Sequence, residues 1–231
     1  MDSSKFIAFP PETIQFYRDL EANNNRDWFM AHKQDYVDYV QTPAIAFIGT
    51  MGTRLKEITP NIIADLRTNG AGSLMRIYRD IRFSKDKTPY KTNLGIIFWE
   101  GTGKKTENPG FYFQVAPYGL DLFCGVYMFT KGMLAKYRKA VDNESRGEEL
   151  AQIMAAIKDA GYQIGGDQYK RVPTGFEADH PWAELLKYKG LHASISDLDP
   201  ELITKPEFMD YTFEQWRKMA PLHHWLVKLA A

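Results

Sequence analysis

At 231 residues the chain is within reach of one large domain, and with 44% hydrophobic and 14% aromatic residues it can fill a sizeable core. Lys plus Arg match Asp plus Glu at 29 each, so no overall field draws the protein onto nucleic acid or an anionic membrane. A single cysteine excludes an intrachain disulfide, and no apolar run reaches membrane-spanning length.

In chain order, Pro10-Pro11-Glu12 opens a helix carrying Ile14, Phe16, Tyr17 and Leu20, which Asn23-Asn24-Asn25 breaks while offering caps for the next. Trp28, Phe29, His32, Tyr36 and Val40 then recur at helical spacing. Thr42-Pro43 reads as a cap and first position of a third helix, carrying Ile48, Met51, Leu55 and Ile58. Three helices are therefore expected before Pro60.

The period changes in the middle. Leu94-Gly95-Ile96-Ile97-Phe98-Trp99 fits a buried strand, and Gly101 to Gly110 an exposed, mobile loop. Phe111, Phe113 and Val115 alternate with Tyr112 and Gln114; after Pro117-Tyr118-Gly119, Leu120, Leu122, Cys124, Val126 and Met128 alternate again. This pattern predicts an antiparallel hairpin, with Cys124 as a buried small hydrophobe.

Helices return with Met133, Leu134, Tyr137 and Val141, then Leu150, Ile153, Met154 and Ile157. Gly161 and Gly165-Gly166 end that unit, and Tyr169 to Pro173 is expected to be extended. Pro181 to Lys187 reads as a short helix, Leu191 to Ile195 as a strand, and Phe213 to Trp216 and Pro221 to Leu229 as helical. The resulting fold class is α+β: an antiparallel sheet built around the central hairpin, with N-terminal and C-terminal helices packed on it. One domain over 1–231 is expected.

One segment is chemically unusual. Arg76 to Lys91 carries Arg76, Arg79, Arg82, Lys85, Lys87 and Lys91 against only Asp80 and Asp86, interleaved with Tyr78, Phe83 and Tyr90. Arginine forks recognise phosphate or carboxylate in two-point fashion and lysine adds a mobile charge, so their convergence makes an anion site. Helix or strand, the segment sets an arginine beside Asp80. That carboxylate would then orient a guanidinium and titrate low, which disqualifies it as a general base. The competing reading is a structural ion network containing an Arg79–Asp80 pair.

With Asn23-Asn24 and Trp28-Phe29 before it, Gly125-Val126-Tyr127, Arg171-Val172-Pro173-Thr174-Gly175-Phe176 and Leu185-Leu186-Lys187 after it, the run Arg79-Asp80-Ile81-Arg82-Phe83-Ser84-Lys85-Asp86-Lys87 with Pro89-Tyr90-Lys91 resembles domain of unknown function 2461. The resemblance spans nearly the whole chain and implies no established activity or cofactor.

Other motifs carry less. Gly101-Thr102-Gly103-Lys104-Lys105-Thr106 departs from the Walker pattern, which needs glycine at Phe98 and Ser or Thr at Lys105. His32, His180, His192, His223 and His224 lack zinc-ligand spacing, so no metal site is expected; His32 reads as a packed, hydrogen-bonded histidine. No nucleophile elbow or dinucleotide fingerprint is present.

Tyr112, Tyr127, Lys170 and Arg171 repeat the aromatic-plus-cation theme. Together with Arg76, Tyr78, Arg79, Asp80, Arg82, Lys87, Tyr90 and Lys91 they make the candidate binding set for an anionic small molecule, as ligand or as substrate. Catalytic residues, cofactor and protein partners are left unassigned. The alternatives are a nucleic-acid binder, with Tyr78, Phe83 and Tyr90 stacking on bases, and a protein-interaction module whose ions at 76–91 are structural. Met1-Asp2-Ser3-Ser4-Lys5 lacks the pattern of a secretory leader, so a cytoplasmic setting without a membrane partner is expected.

Overall fold

The computed structural model describes residues 6–230; the opening Met1–Lys5 stretch, read above for a leader, lies outside them. Five antiparallel strands form one sheet in the order β1-β2-β3-β5-β4: β1 Leu94–Trp99, β2 Gly110–Ala116, β3 Gly119–Val126, β4 Gln163–Gly165 and β5 Leu191–Leu198. Helices flank it, which makes the class α+β. The expected hairpin is β2–β3, closed by the two-residue turn Pro117-Tyr118. Its alternation is regular, with Phe111, Phe113, Val115, Leu120, Leu122, Cys124 and Val126 all at or below 1% exposure.

β4 was not expected. Three residues ending in glycine carry too little pattern to announce a strand, and pairing with β5 (Gln163↔Ser194, Ile164↔Ala193, Gly165↔His192) creates it. Tyr169 to Pro173 is not a strand: only the preceding Gln168 is bridged, to Tyr188, and the backbone bends at Lys170 and Arg171.

The residues group into two compact units. Of the described residues, the first holds those up to Phe98, Tyr112–Leu122 and Ser196–Glu214; the second holds Trp99–Phe111, Phe123–Ile195 and those from Gln215.

In the first unit, α1 (Glu12–Ala22) is followed by α2 (Arg26–Ala31), whose N-cap Asn25 accepts from the Trp28 amide at 3.0 Å. The next break falls at His32 rather than at Thr42-Pro43. The His32 ring stacks on Trp28 at 4.1 Å and its Nδ1 lies 2.9 Å from the Trp28 carbonyl, as a packed histidine should. From there α3 (Lys33–Tyr36), a π-helical turn (Val37–Gln41) and α4 (Thr42–Leu55) run on without interruption. Pro43 has no N–H for the Tyr39 carbonyl and its ring crowds that oxygen, so the helix widens there instead of starting. The freed Tyr39 carbonyl accepts from the buried Thr13 hydroxyl at 2.5 Å. α4 then seats Phe47 against Phe9, Phe98, Phe113 and Phe208, with centroids 5.6–6.3 Å apart.

In the second unit, α5 (Lys131–Asp142) is capped by Thr130, whose hydroxyl accepts from Met133 N at 3.2 Å, and α6 (Glu144–Asp159) is capped by Asn143. α7 (Ala183–Leu186) is the expected short helix, and its Leu185 carbonyl takes the buried Tyr137 hydroxyl at 2.8 Å. The two helical stretches expected at the C-terminus are one helix, α8 (Phe208–Ala230), with Pro221 inside it. The buried second-unit residues Trp216, Met219, Leu222, Trp225 and Leu226 outweigh the proline's preference for a boundary. Trp216 and His223 lie on Phe111 at 5.6 and 4.7 Å, and the Cys124 thiol points to the Met219 carbonyl at 3.5 Å. Gly125 stands at φ 142°, where a Cβ would come within 2.3 Å of the Leu191 carbonyl, so β3 and β5 meet closely only because it has none.

Candidate functional site

The unusual segment is neither the helix nor the strand considered above. Ser73 to Met75 joins β1 through a Leu74↔Ile96 bridge, with Met75 N to Gly95 O at 2.9 Å and Ile97 N to Ser73 O at 3.0 Å. The chain bends at Ile77 and meets itself once more at a Tyr78↔Tyr90 bridge. Arg79 N donates to Pro89 O at 2.9 Å and Lys91 N to Ile77 O at 2.8 Å, so Tyr78 and Tyr90 are the non-hydrogen-bonded pair between these bonds. Their own backbone groups therefore point outward. Those of Tyr90 are taken by one side chain: the Asn24 amide donates to Tyr90 O at 3.0 Å and accepts from Tyr90 N at 3.1 Å.

Inside the loop so closed, each carboxylate holds one arginine. Arg82 forms a fork on Asp80, Nε to Oδ1 at 2.9 Å and Nη2 to Oδ2 at 2.7 Å. Arg79 reaches across to Asp86 and the Thr88 hydroxyl, and Asp86 also accepts from Thr88 N at 2.9 Å. The pairs are thus Arg82–Asp80 and Arg79–Asp86. An Arg79–Asp80 pair does not form, because neighbours on extended backbone point to opposite sides while the Arg79–Pro89 bond draws Asp86 and Thr88 within reach. Bonding to Arg82 lowers the Asp80 carboxyl to about 2, as expected of an acid that cannot serve as a base. Arg79 and then Thr88 do the same for Asp86. Lys87 donates to the Ile81 carbonyl at 2.9 Å.

Arg76 and Lys91 make none of these hydrogen bonds, and Arg76 acts on the network only as the smallest of the effects that lower Asp80. Neither makes an ion pair among the described residues, and they repel one another: Lys91 is half-buried, and burial first and the Arg76 charge second lower its pKa.

Beside them lies a run of phenols. Tyr90 stacks on Phe29 at 4.2 Å, and Tyr78, 52% exposed, lies 5.4 Å from Tyr90 and 6.2 Å from Phe29. Burial, with Tyr78 adding to it, pushes Tyr36 up to about 12. Tyr17 is raised by burial, then by Tyr36 and Tyr112. Tyr112 rises to about 12 through burial and the Asp121 charge, partly offset by Asn93. Tyr17, Tyr36 and Tyr112 are therefore neutral near pH 7. The Tyr112 hydroxyl bonds Gln114 at 3.2 Å, and Gln114 also receives Asn93 at 3.3 Å and reaches Asp121 at 3.4 Å. Gly95 makes room, since a Cβ there would lie 2.6 Å from the Tyr112 oxygen.

The closed segment thus holds Tyr78, Arg79, Asp80, Arg82, Lys87, Tyr90 and Lys91, with Arg76 just before it in the chain, and Tyr112 lies in the same unit. Tyr17, Tyr36 and Asn24 were missed as members. The two tyrosines are indistinguishable from other rings of an apolar helical stripe, and Asn24 acts 66 residues away from its own position. Tyr127, Lys170 and Arg171 belong to the second unit. There Tyr127 is 78% exposed just past β3, and Lys170 and Arg171 are exposed in the bend after Gln168.

In the second unit the fully buried His223 places Nε2 3.1 Å from Glu100 Oε2, and burial lowers its pKa against the raising effect of that carboxylate. Cys124 is buried with its thiol raised, so it is no nucleophile. The Gly101–Gly110 loop holds a short 3-10 turn, Lys105–Glu107, with the Asn108 amide on the Thr102 and Lys104 carbonyls at 2.8 and 2.9 Å. Among the described residues no three His, Cys, Asp or Glu side chains gather as metal ligands, and no helix is long and apolar enough to cross a membrane.

The family model described as conserved hypothetical protein (DUF2461) matches residues 12–225. The chain belongs to this family. The match takes in the closed segment, the Asn24 clamp and the tyrosines around them. Among curated proteins none matches the chain.

Proposed function

We propose that this DUF2461 protein binds a small phosphate- or carboxylate-bearing molecule at Arg76 and Lys91, with the Tyr78 hydroxyl as a donor at its edge. One observation carries the reading: a half-buried lysine stands beside an arginine, and neither forms an ion pair among the described residues. A half-buried lysine facing an exposed arginine raises the free energy of the fold, and an arriving anion relieves both the repulsion and the desolvation of Lys91. The reading is of binding, and no reaction is assigned. One buried cysteine suits a reducing compartment, so we place the protein in the cytoplasm.

A second reading applies to part of the segment. Arg79 and Arg82 are engaged by Asp86 and Asp80, which favours a structural role for those two.

Thermal denaturation with inorganic phosphate and with citrate tests the proposal. Either anion raises the wild-type melting temperature, and Arg76→Ala and Lys91→Met abolish the shift while remaining folded. Lys91→Met does not lower the melting temperature without ligand, because it removes a poorly solvated charge. The anion favours protonated Lys91, so affinity falls as pH rises through a value below the ordinary lysine 10.5. Equal shifts in wild type and variants would move the anion elsewhere.

A further inference from the structure

Phe83 is 95% exposed, on a loop that is braced rather than loose. Its base is closed by the Tyr78↔Tyr90 bridge, and its interior by the Arg79–Asp86 and Arg82–Asp80 pairs and the Lys87 bond to Ile81 O. Chain entropy has been spent to hold a large apolar ring in water, with the Arg82 guanidinium 5.8 Å from its centroid. Both loop carboxylates are already matched by arginines, so Lys85 and Lys87 are the surplus charge of the loop that carries the ring.

We propose that residues 82–87 dock single-stranded nucleic acid, Phe83 stacking on a base while Lys85 and Lys87 follow the phosphates. Three physical considerations favour this partner. A single aromatic ring is a complete stacking platform for one base, worth roughly five- to a hundredfold in affinity. The same ring is too little apolar surface to anchor a protein on lipid, where stable attachment takes a second strong signal. A specific protein interface has a charge-depleted centre, yet Phe83 is flanked in the chain by Arg82, Ser84, Lys85, Asp86 and Lys87. The zero net charge of the chain weakens long-range attraction but not this contact, because at about 0.1 M salt charges beyond roughly 10 Å are screened. This goes beyond the small-anion reading, since none of its residues is Arg76 or Lys91.

Fluorescence anisotropy of a labelled oligothymidylate, from about 50 mM to about 200 mM salt, tests it. Wild type binds, more weakly as salt rises. Phe83→Ala loses roughly five- to a hundredfold at an unchanged salt slope, and Lys85→Ala and Lys87→Ala each flatten the slope by about 0.7. Phe83 is too exposed for its truncation to unfold the chain, and an unchanged melting curve checks this. No binding at low salt, or an unaffected Phe83→Ala, overturns the proposal, as does a Phe83-dependent affinity for phosphatidylserine vesicles without one for the oligonucleotide. Phosphate stabilisation of a wild type that does not bind the oligonucleotide overturns this inference alone. Loss of phosphate stabilisation in wild type overturns the small-anion reading alone.

Discussion

The β2–β3 hairpin and the 79–89 loop are both antiparallel closures of the chain, but they are held by different forces. The hairpin turns on two residues, runs a ladder of hydrogen bonds and buries every second side chain. The loop spans nine residues between Arg79 and Pro89, closes on a single bridge, and is kept in shape by salt bridges, Thr88 and one distant asparagine. The first is a hydrophobic device, indifferent to pH and salt. The second is an electrostatic one, and its ion pairs are weak in water, so it needs the clamp.

The sharpest way to break the hairpin is Phe113→Ala. Phe113 is fully buried, with Phe47 at 5.6 Å and Phe208 at 5.5 Å, and its truncation leaves a cavity none of these can fill. The expected cost is about 3–5 kcal/mol in urea unfolding, with an unchanged dependence on salt.

The matching test for the loop is Asn24→Ala, which should cost about 1–3 kcal/mol because it strands the two backbone groups of Tyr90. Amide exchange read by NMR would then quicken at Arg79 and Lys91, whose N–H groups close the loop, but not in β2 or β3. Uniform acceleration throughout would mean that the loop has no separate stability.

The same contrast explains what could be read in advance. A period of two over fifteen residues from β2 to β3 is dictated by burial on one face, so hairpin, register and core are legible without coordinates. The segment 76–91 announces its composition but not its geometry. Whether Arg79 pairs with Asp80 or Asp86 depends on the bend at Ile77 and on the Pro89 carbonyl, neither of which leaves a local signal. Prolines misled twice in the same way, at Pro43 and Pro221. In each case a helix boundary was expected, but the helix continued, once because a Thr13 hydroxyl served the freed carbonyl and once because buried rings held the rod together.

The smallest effect distinguishes an ion pair that shapes the loop from one that is merely near it. Asp86 titrates at about 2 in the fold against an ordinary 3.8, chiefly through Arg79. A carboxylate with a lowered folded pKa stabilises the fold above its unfolded value and loses that contribution as pH falls toward the folded one, here between about 4 and about 2. Asp86 is exposed, so global unfolding will barely register the loss. The Thr88 amide, which donates to Asp86 at 2.9 Å, is the local reporter: its proton shift should titrate with a midpoint near 2 in wild type. In Arg79→Gln the midpoint should move up toward 3.8 without reaching it, because the Thr88 bonds remain. A midpoint unmoved by that substitution would show that Thr88 alone holds the carboxylate and that Arg79 is free for a ligand.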